Sequence, residues 1–303
     1  MQNTPRAKAR LGERLGAYAH IAPATLFMLV FLVYPMVSNL ILSLNDVGLT
    51  FFSHKEYNWV GLDNYVKLFT AADGQLVNAI KNTLVFTAFT VVFQILISFA
   101  LSLVFSQPFR IAKVSRGVIL IAYILPVTVT TLLFKFIFMT DGGILNYLLQ
   151  LWGLVDKPVP WLIQGNTAMA SIIVTNLWIN IPFSMLMFTS GLITLDPAYL
   201  EAAMIDGAGY WKRLVYVVIP SISETSKIVV TLAVIYAFKV YDVVFIMTNG
   251  GPGMATDMLS TFAYRMSFTY HNYSDGAAAS NILLLIMLLM GAIYIRLIKR
   301  EAD

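Results

Sequence analysis

Six long apolar stretches occupy nearly half of this chain and limit what it can fold into. A helix needs about 20 mainly apolar residues to cross the hydrocarbon core of a bilayer, and each stretch is long enough. The runs are continuous and do not alternate every second residue, so they predict helices and not the strands of a membrane barrel. The predicted spans are Ile21–Leu44, Thr83–Phe105, Gly117–Met139, Ala168–Gly191, Ile228–Thr248 and Ala277–Ile298.

Composition supports an integral membrane protein over a soluble one. Hydrophobic residues make up 58% of the 303 residues and charged residues only 12%, against roughly 25% charged residues in soluble domains. A soluble fold this apolar would expose large patches and aggregate. There is no cysteine and there are only three histidines, which argues against disulfides, thiolate metal sites and a His-rich metal centre.

Lysine and arginine predict the orientation of the spans. Thirteen of them fall in the N-terminal tail, in the loops after the second and fourth spans, and at the C-terminus, whereas five fall in the other loops. The positive-inside rule therefore predicts that both termini lie in the cytoplasm. We attribute the net charge of +4 to these loops and expect no nucleic-acid partner. The prediction is an all-α polytopic membrane protein with one transmembrane domain, residues 1–303, that includes a basic tail, residues 1–20.

Two loops on the predicted outer side carry recognisable local structure. The apolar spacing in Trp59–Phe69 fits a short amphipathic helix that lies along the membrane surface. The loop from Asn249 to Gly276 opens with an Asn-Gly-Gly-Pro-Gly turn sequence, residues 249–253.

The predicted cytoplasmic loop 194–225 is organised as two short helices. Asp196 is a good N-cap and Pro197 suits the first helical position, while Gly207 fits the left-handed residue after a helix end. A second helix is expected over Tyr210–Val217, ending before Pro220. By themselves these residues leave two interpretations open: the helix pair packs under its own bundle, or it docks on a partner. No G-x-x-x-x-G-K-[ST] motif is present, so any ATP that the protein uses is bound by another chain.

The same loop carries a family resemblance. Glu201-Ala202-Ala203 followed by Gly207 and by Val217-x-Ile219-Pro220 resembles the EAA loop of permease subunits in binding-protein-dependent ABC importers, whose usual ending is I-x-L-P. Further segments resemble the carbohydrate branch of these permeases, the maltose and glycerol-phosphate group. They are Tyr34-Pro35, Val60–Tyr65, Asn82-Thr83, Leu125-Pro126, Tyr241–Val244 and Thr248–Pro252.

The resemblance implies a type I ABC importer permease fold in the bacterial plasma (inner) membrane. It implies a non-catalytic chain without its own cofactor, since ATP and Mg would be bound by a cytoplasmic ATPase dimer. The other implied partners are a second homologous permease, an extracytoplasmic solute-binding protein, a sugar substrate and the surrounding lipid. Expected coupling residues are Glu201, Ala202, Ala203, Met204 and Gly207, and expected binding-protein contacts are Asn249, Gly250, Gly251 and Pro252.

Polar residues within the spans are candidates for a substrate pathway. Asn176, Asn180 and Phe183 share a helix face, and amides and aromatic rings suit sugar hydroxyls and apolar sugar faces. The resemblance adds Ile179, Tyr236, Ala237 and Val240. Lys239 and Asp242 are expected on one face of the fifth helix, as a structural ion pair or as part of a polar lining.

Two other function classes agree less well with the sequence. An ion-coupled secondary transporter of a small polar solute would use Lys239 and Asp242, but the six spans contain no visible inverted repeat. An intramembrane enzyme lacks support because neither H-E-x-x-H nor G-x-S-x-G occurs.

Overall fold

The chain folds into a bundle of helices with one small strand pair. The computed structural model describes residues 20–47, 58–107 and 112–302, so nearly all of the predicted basic tail lies outside the described residues. The helices are α1 His20–Ser43, α2 Asp63–Thr70, α3 Gln75–Phe105, α4 Ala112–Ile124, α5 Val127–Ile137, α6 Ile144–Leu151, α7 Gly165–Ile193, α8 Pro197–Ile205, α9 Tyr210–Ser221, α10 Ser223–Phe238, α11 Asp242–Met247, α12 Leu259–Tyr264 and α13 Tyr273–Ala302. Strand β1 Asn45–Asp46 pairs antiparallel with β2 Asn58–Trp59.

Four of the predicted spans are uninterrupted helices. Helices α1, α3, α7 and α13 are long and apolar enough to cross a membrane, and α9 with α10 forms a fifth candidate that is bent by 73°. The third and fifth predicted spans are each broken into two helices. A distortion at Pro126 is expected from the sequence, whereas the break within Ile228–Thr248 is not.

Proline breaks the third span. Helix α4 ends at Ile124, Pro126 has an extended backbone with ψ 135°, and α5 begins at Val127. Proline has no N–H to donate and disfavours a helical conformation at the residue before it. Gly117–Met139 is therefore two helices joined at Leu125-Pro126.

The fifth span breaks without a proline. Helix α10 ends at Phe238, and α11 begins at Asp242 after three non-helical residues, 239–241. The hydroxyl of Ser260 donates a hydrogen bond to the Val240 carbonyl, and the Lys135 ammonium donates to the Ile246 carbonyl at 2.7 Å. A carbonyl that loses its helical partner needs another donor in an apolar environment. Ser260 supplies one at the break, and Lys135 supplies one at the C-terminal end of α11.

Two prolines do not end their helices because each follows a π turn. The turns are Leu29–Val33 before Pro35 and Leu214–Val218 before Pro220. The N–H of the residue after each turn donates to the carbonyl five residues earlier. The following proline, which has no N–H, is thereby accommodated without ending the helix. The helix predicted to end before Pro220 therefore continues to Ser221.

A polar cluster joins the C-terminal end of α1 to α13. The Asn39 amide donates to Asn281 Oδ1 at 2.9 Å, and Asn281 donates to Ser43 Oγ at 2.9 Å. Ser43 also contacts the Tyr65 hydroxyl at 2.8 Å, and the Asn64 amide donates to the Ser43 carbonyl at 2.9 Å. Helix α2, the amphipathic helix predicted on the outer side, thus lies against α1 and α13 with Asn64 buried.

The bundle is built on the contact between α3 and α7. Buried hydroxyls and one amide face each other along this contact, and Gln94 Nε2 donates to Ser184 Oγ at 2.7 Å. The central apolar cluster joins α3 and α7 to the break between α10 and α11. Its buried members are Phe86, Phe138, Ile172, Ala237, Val240, Val243, Val244, Met247 and Met258.

The loop between α5 and α7 is held by one buried amide. Asn146 Nδ2 donates to the Thr140 and Val159 carbonyls at 3.1 and 2.9 Å. Its Oδ1 accepts from the Val159 N–H at 3.0 Å and from Trp161 Nε1 at 2.9 Å. The side chain therefore organises both ends of this loop.

Asn146→Ala is expected to destabilise the protein, because it leaves buried donors and acceptors without partners. The expected loss in unfolding free energy is about 1–3 kcal/mol, measured by chemical denaturation in detergent. Gln150→Ala on the exposed side of the same helix is the control. Equal stability of the two variants would contradict this role.

Candidate functional site

The hairpin formed by α8 and α9 is capped at both ends of its first helix. Asp196 Oδ1 accepts a hydrogen bond from the Ala198 N–H at 2.9 Å, and Pro197 is the first helical residue. The N-cap predicted from sequence is confirmed. Because the cap satisfies a free backbone N–H, α8 begins at a defined residue.

The end of α8 is a complete Schellman motif. Gly207 has φ +76°, as its position predicted. The Gly207 N–H donates to the Met204 carbonyl at 3.0 Å, and the Ala208 N–H donates to the Ala203 carbonyl at 2.9 Å. This pair of bonds closes the helix and turns the chain sharply into α9.

The hairpin exposes a broad apolar surface at the end of the bundle opposite α2. Leu200 and Ala203 are half-buried, whereas Glu201, Ala202 and Met204 are exposed. Exposed fractions reach 87% for Ile205, 73% for Trp211 and 76% for Tyr216. The sequence reasoning missed these last three residues, although a Tyr-Trp pair in a polar loop was an available signal. An apolar patch of this kind is typical of a docking surface.

The predicted pathway residues on α7 lie at different depths. Asn176 is buried, Ile179 and Asn180 are half-buried, and the Asn180 amide donates to the Asn176 carbonyl at 2.9 Å. The Phe183 ring stacks on Tyr123 of α4, with ring centroids 5.6 Å apart. One face of Phe183 is therefore covered within the chain.

The predicted pathway residues near the α10–α11 break divide into two groups. Ala237 and Val240 are 1% and 8% exposed and belong to the central apolar cluster. Tyr236, Lys239 and Asp242 are exposed.

The expected Lys239–Asp242 pair does not form. The two residues belong to different segments, and among the described residues Lys239 forms no ion pair with Asp242; its ammonium lies 5.1 Å from the centre of the Tyr236 ring. The prediction that they share one helix face was wrong, and the ion-coupled alternative loses the feature that suggested it.

The loop that starts at Asn249 is compact and internally bonded. Asn249 and Gly250 have φ of +51° and +83°, conformations that asparagine and glycine tolerate better than other residues. Thr256 contacts Thr248 through the hydroxyls at 2.7 Å, and the Thr256 N–H donates to the Gly250 carbonyl at 3.2 Å. Asn249 is exposed, Gly250 is buried, and Gly251 and Pro252 are half-buried.

A buried ion pair between Asp257 and Arg265 packs against this loop. Asp257, 1% exposed, accepts from Arg265 and from the Thr261 hydroxyl, the latter at 2.7 Å. Burial raises the pKa of the Asp257 carboxyl above its usual value, and the Arg265 guanidinium opposes that shift. A Cβ added at Gly250 would lie 2.9 Å from Asp257 Oδ1. Any side chain at position 250 would therefore press on the carboxylate of the ion pair.

Residues at the start of α3 fix the same loop to the bundle. Asn78 Nδ2 and Asn82 Nδ2 donate to the Met254 carbonyl at 2.8 and 3.0 Å, and Thr83 Oγ1 accepts from the Leu259 N–H at 2.9 Å. The Asn82-Thr83 pair was noted as a family-like segment, but its structural role could not be read from sequence because its partners lie more than 170 residues along the chain.

A protein-family comparison decides the identity of the chain. The model of the binding-protein-dependent transport system inner membrane component matches residues 94–300. The chain belongs to this family. It is therefore a membrane permease of the plasma membrane, with several apolar helices, and the resemblance noted in the EAA loop is confirmed.

Curated relatives cover almost the whole permease. The probable ABC transporter permease protein YurN of Bacillus subtilis is 30% identical over 284 residues, 93% of this chain and 95% of the relative. The trehalose/maltose transport system permease protein MalF of Thermococcus litoralis is 26% identical, with 100% of each chain covered. The sulfoquinovosyl glycerol transport system permease protein SmoG of Agrobacterium fabrum is 28% identical, with 96% of this chain and 92% of the relative covered.

A solved structure shares the fold of the permease. A chain of a bacterial alginate ABC transporter, solved in complex with an alginate pentasaccharide-bound periplasmic protein, has a TM-score of 0.82 at 20% identity. The match covers 97% of this chain and 98% of that one. The type I ABC permease fold expected from sequence is thus confirmed.

Gly250→Ala is expected to open the Asn249–Pro252 turn, because the new Cβ would press on Asp257 and φ +83° is strained for alanine. Hydrogen exchange of a peptide covering residues 249–258 should become faster in the purified permease. Gly253→Ala is the control, since its φ is also positive but no atom lies within 4 Å of the added Cβ. Equal exchange in the two variants would contradict the steric argument.

Proposed function

We propose that this permease forms half of the translocation pathway of an ATP-driven carbohydrate importer. The observation that carries the proposal is the capped, exposed α8–α9 hairpin with its EAA sequence. The sugar class is supported by relatives that match almost the whole chain and are named for trehalose/maltose transport, sulfoquinovosyl glycerol transport and diacetylchitobiose uptake.

The hairpin is the proposed attachment point of a cytoplasmic ATPase dimer. Glu201, Ala202, Ala203, Met204 and Gly207 are the proposed coupling residues. The exposed apolar side chains of Ile205 and Trp211 enlarge that surface, and Glu201 offers a charged contact at its edge. Because ATP and Mg would be bound by the partner, this chain contributes no catalytic residue.

Motion of the hairpin would reach the membrane through α9 and α10. These helices are continuous except for a 73° bend at Ile222, and α10 ends at the break that exposes Lys239. A shift of α8 caused by ATPase closure would therefore tilt α10 and change access to the break. This is alternating access driven by a rigid-body movement at an interface.

Six crossings with both termini in the cytoplasm are the proposed topology. In that arrangement α4 with α5 and α10 with α11 each make one broken crossing. Loops predicted outside lie together at one end of the bundle, as the bonds from Asn78 and Asn82 to the 249–257 loop indicate. The hairpin lies at the other end.

A second homologous permease is the proposed partner within the membrane. Residues 21–37 of α1 are all exposed, and the hydrogen bonds of Asn39 and Ser43 join the other end of α1 to its own bundle. The exposed side chains of residues 21–37 offer a surface for another chain. Two such chains would enclose a pathway that one cannot enclose alone.

The pathway of this subunit is proposed to begin at the α10–α11 break. Tyr236, Lys239 and Asp242 are exposed there, and Asn180 and Phe183 present polar and aromatic groups on α7. We assign a supporting role to the remaining members of the predicted set, which position these side chains: Asn176, Ile179, Ala237 and Val240.

An extracytoplasmic solute-binding protein is proposed to contact the Asn249–Pro252 turn. The alginate transporter of similar fold was solved with a periplasmic protein bound, which supports a partner of this kind. The turn is rigid and partly exposed, so it offers a preformed surface.

Sugar uptake by the reconstituted importer, measured with the Gly207→Val variant, tests the proposal. Vesicles that contain the full complex and its binding protein should accumulate labelled maltose, trehalose, diacetylchitobiose or alginate oligosaccharide in an ATP-dependent manner. Gly207→Val should abolish most of that uptake, since φ +76° excludes a β-branched residue and the hairpin turn changes.

Gly209→Val is the matched control because Gly209 has φ −67° and no atom lies within 4 Å of an added Cβ. Both variants should keep the elution volume and helical content of the intact complex. Full ATP-dependent uptake by Gly207→Val would contradict the coupling role, and absence of sugar uptake by the wild type would contradict the substrate class.

A further inference from the structure

An open groove lies beside the α10–α11 break, and neither the predicted pathway nor the hairpin uses it. It has a volume of about 320 Å³ and lies between α11, the segment 260–268 and α13. Its lining combines the aromatic rings of Tyr241, Tyr264 and Phe268 with the hydroxyl groups of Ser260, Ser267 and Ser280. A volume of this size is at the lower end of the range for small-molecule sites.

The rings along the groove form a continuous series. Tyr241 and Phe245 are stacked with centroids 5.2 Å apart, Tyr264 lies 5.1 Å from Tyr241, and Phe268 lies 4.9 Å from Tyr264. Tyr241 directly precedes α11, which contains Phe245, and Phe268 lies in the π turn Arg265–Thr269 that follows Tyr264 at the end of α12. Phe268 is 61% exposed, so the outermost ring of the series offers a free face.

The serines retain hydrogen-bonding capacity. Ser260 donates to the Val240 carbonyl and Ser280 donates to the Gly276 carbonyl at 2.9 Å, so both hydroxyl oxygens can still accept. Within the described part of the chain, Ser267 Oγ has no hydrogen-bond partner. A hydroxyl can donate one bond and accept two, and the groove therefore presents both functions.

The position of Ser267 depends on a glycine in α13. A Cβ added at Gly276 would collide with the Ser267 hydroxyl and would lie 2.9 Å from its backbone nitrogen. The close approach of the two segments thus needs glycine at position 276, and it holds the hydroxyl beside Tyr264 and Phe268.

We propose that this groove binds one ring of the transported sugar by stacking on Tyr264 and Phe268 and by hydrogen bonds to Ser267 and Ser280. The inference rests on the proposed carbohydrate substrate and extends it to a site. A pyranose ring has apolar C–H faces and a rim of hydroxyls, which match aromatic faces beside serines. Tyr241 lies between Lys239 and Asp242 in the sequence, so the groove continues the exposed surface at the break.

A lipid chain or a helix of the second permease would match the groove less well. A lipid chain or an apolar helix face would cover the rings but would offer no hydrogen-bond partner to the three serine hydroxyls, and burying a polar group without one is unfavourable. A sugar satisfies rings and hydroxyls together.

Phe268→Ala tests the site in the reconstituted full importer with its binding protein. The measured quantity is sugar transported per ATP hydrolysed, using whichever of maltose, trehalose, diacetylchitobiose or alginate oligosaccharide the wild type accumulates. Loss of one stacking face should lower this ratio roughly fivefold, the effect expected for one aromatic contact. Ser267→Ala should lower it less, and Phe268→Trp should restore it.

Phe89→Ala is the matched control, because Phe89 is 52% exposed and stacks on Phe93 with the same spacing of four. Binding-protein-stimulated ATP hydrolysis should be unchanged in every variant, which shows that the complex assembles. An unchanged ratio in Phe268→Ala overturns the sugar site while the importer function stands. A wild type that accumulates none of the sugars overturns the proposed substrate class, and this site with it.

Discussion

Every backbone carbonyl that loses its helical partner inside this bundle needs another donor, and the architecture depends on how that need is met. In hydrocarbon no water is available to supply the bond. At the break between α10 and α11, Ser260 donates to the Val240 carbonyl, and at the C-terminal end of α11 Lys135 donates to the Ile246 carbonyl. The π turns before Pro35 and Pro220 solve the same problem within a single helix.

Hydrogen bonds to otherwise unpaired backbone groups also stabilise the α8–α9 hairpin. Asp196 satisfies the start of α8 and the Schellman bonds at Gly207 satisfy its end, so the helix does not fray into a flexible loop. A rigid hairpin can transmit displacement, and its continuity through α9 into α10 connects the proposed ATPase contact to the break where polar side chains are exposed. In the proposed function, the ATPase contact and the pathway therefore lie at the two ends of one connected segment, α8 to α10.

Helix caps and turns could be predicted from the sequence, whereas contacts between residues far apart in the chain could not. The cap at Asp196, the left-handed Gly207 and the Asn249–Gly253 turn depend on neighbouring residues and were predicted. The α10–α11 break depends on Ser260, which lies 20 residues after Val240, and no pattern within the span revealed it. Ala237 and Val240 were assigned to the pathway because resemblance locates a segment but not its packing, and both side chains are buried.

The central claim is that the α8–α9 hairpin binds an ATPase subunit, and site-specific crosslinking from α8 tests it directly. The chain contains no cysteine, so Ala202→Cys places a single thiol on the exposed face of α8. A thiol-linked photocrosslinker at this position in the native membrane should capture a nucleotide-hydrolysing subunit, identified by mass spectrometry. Capture of lipid alone, or of residues from the same chain alone, would contradict the account.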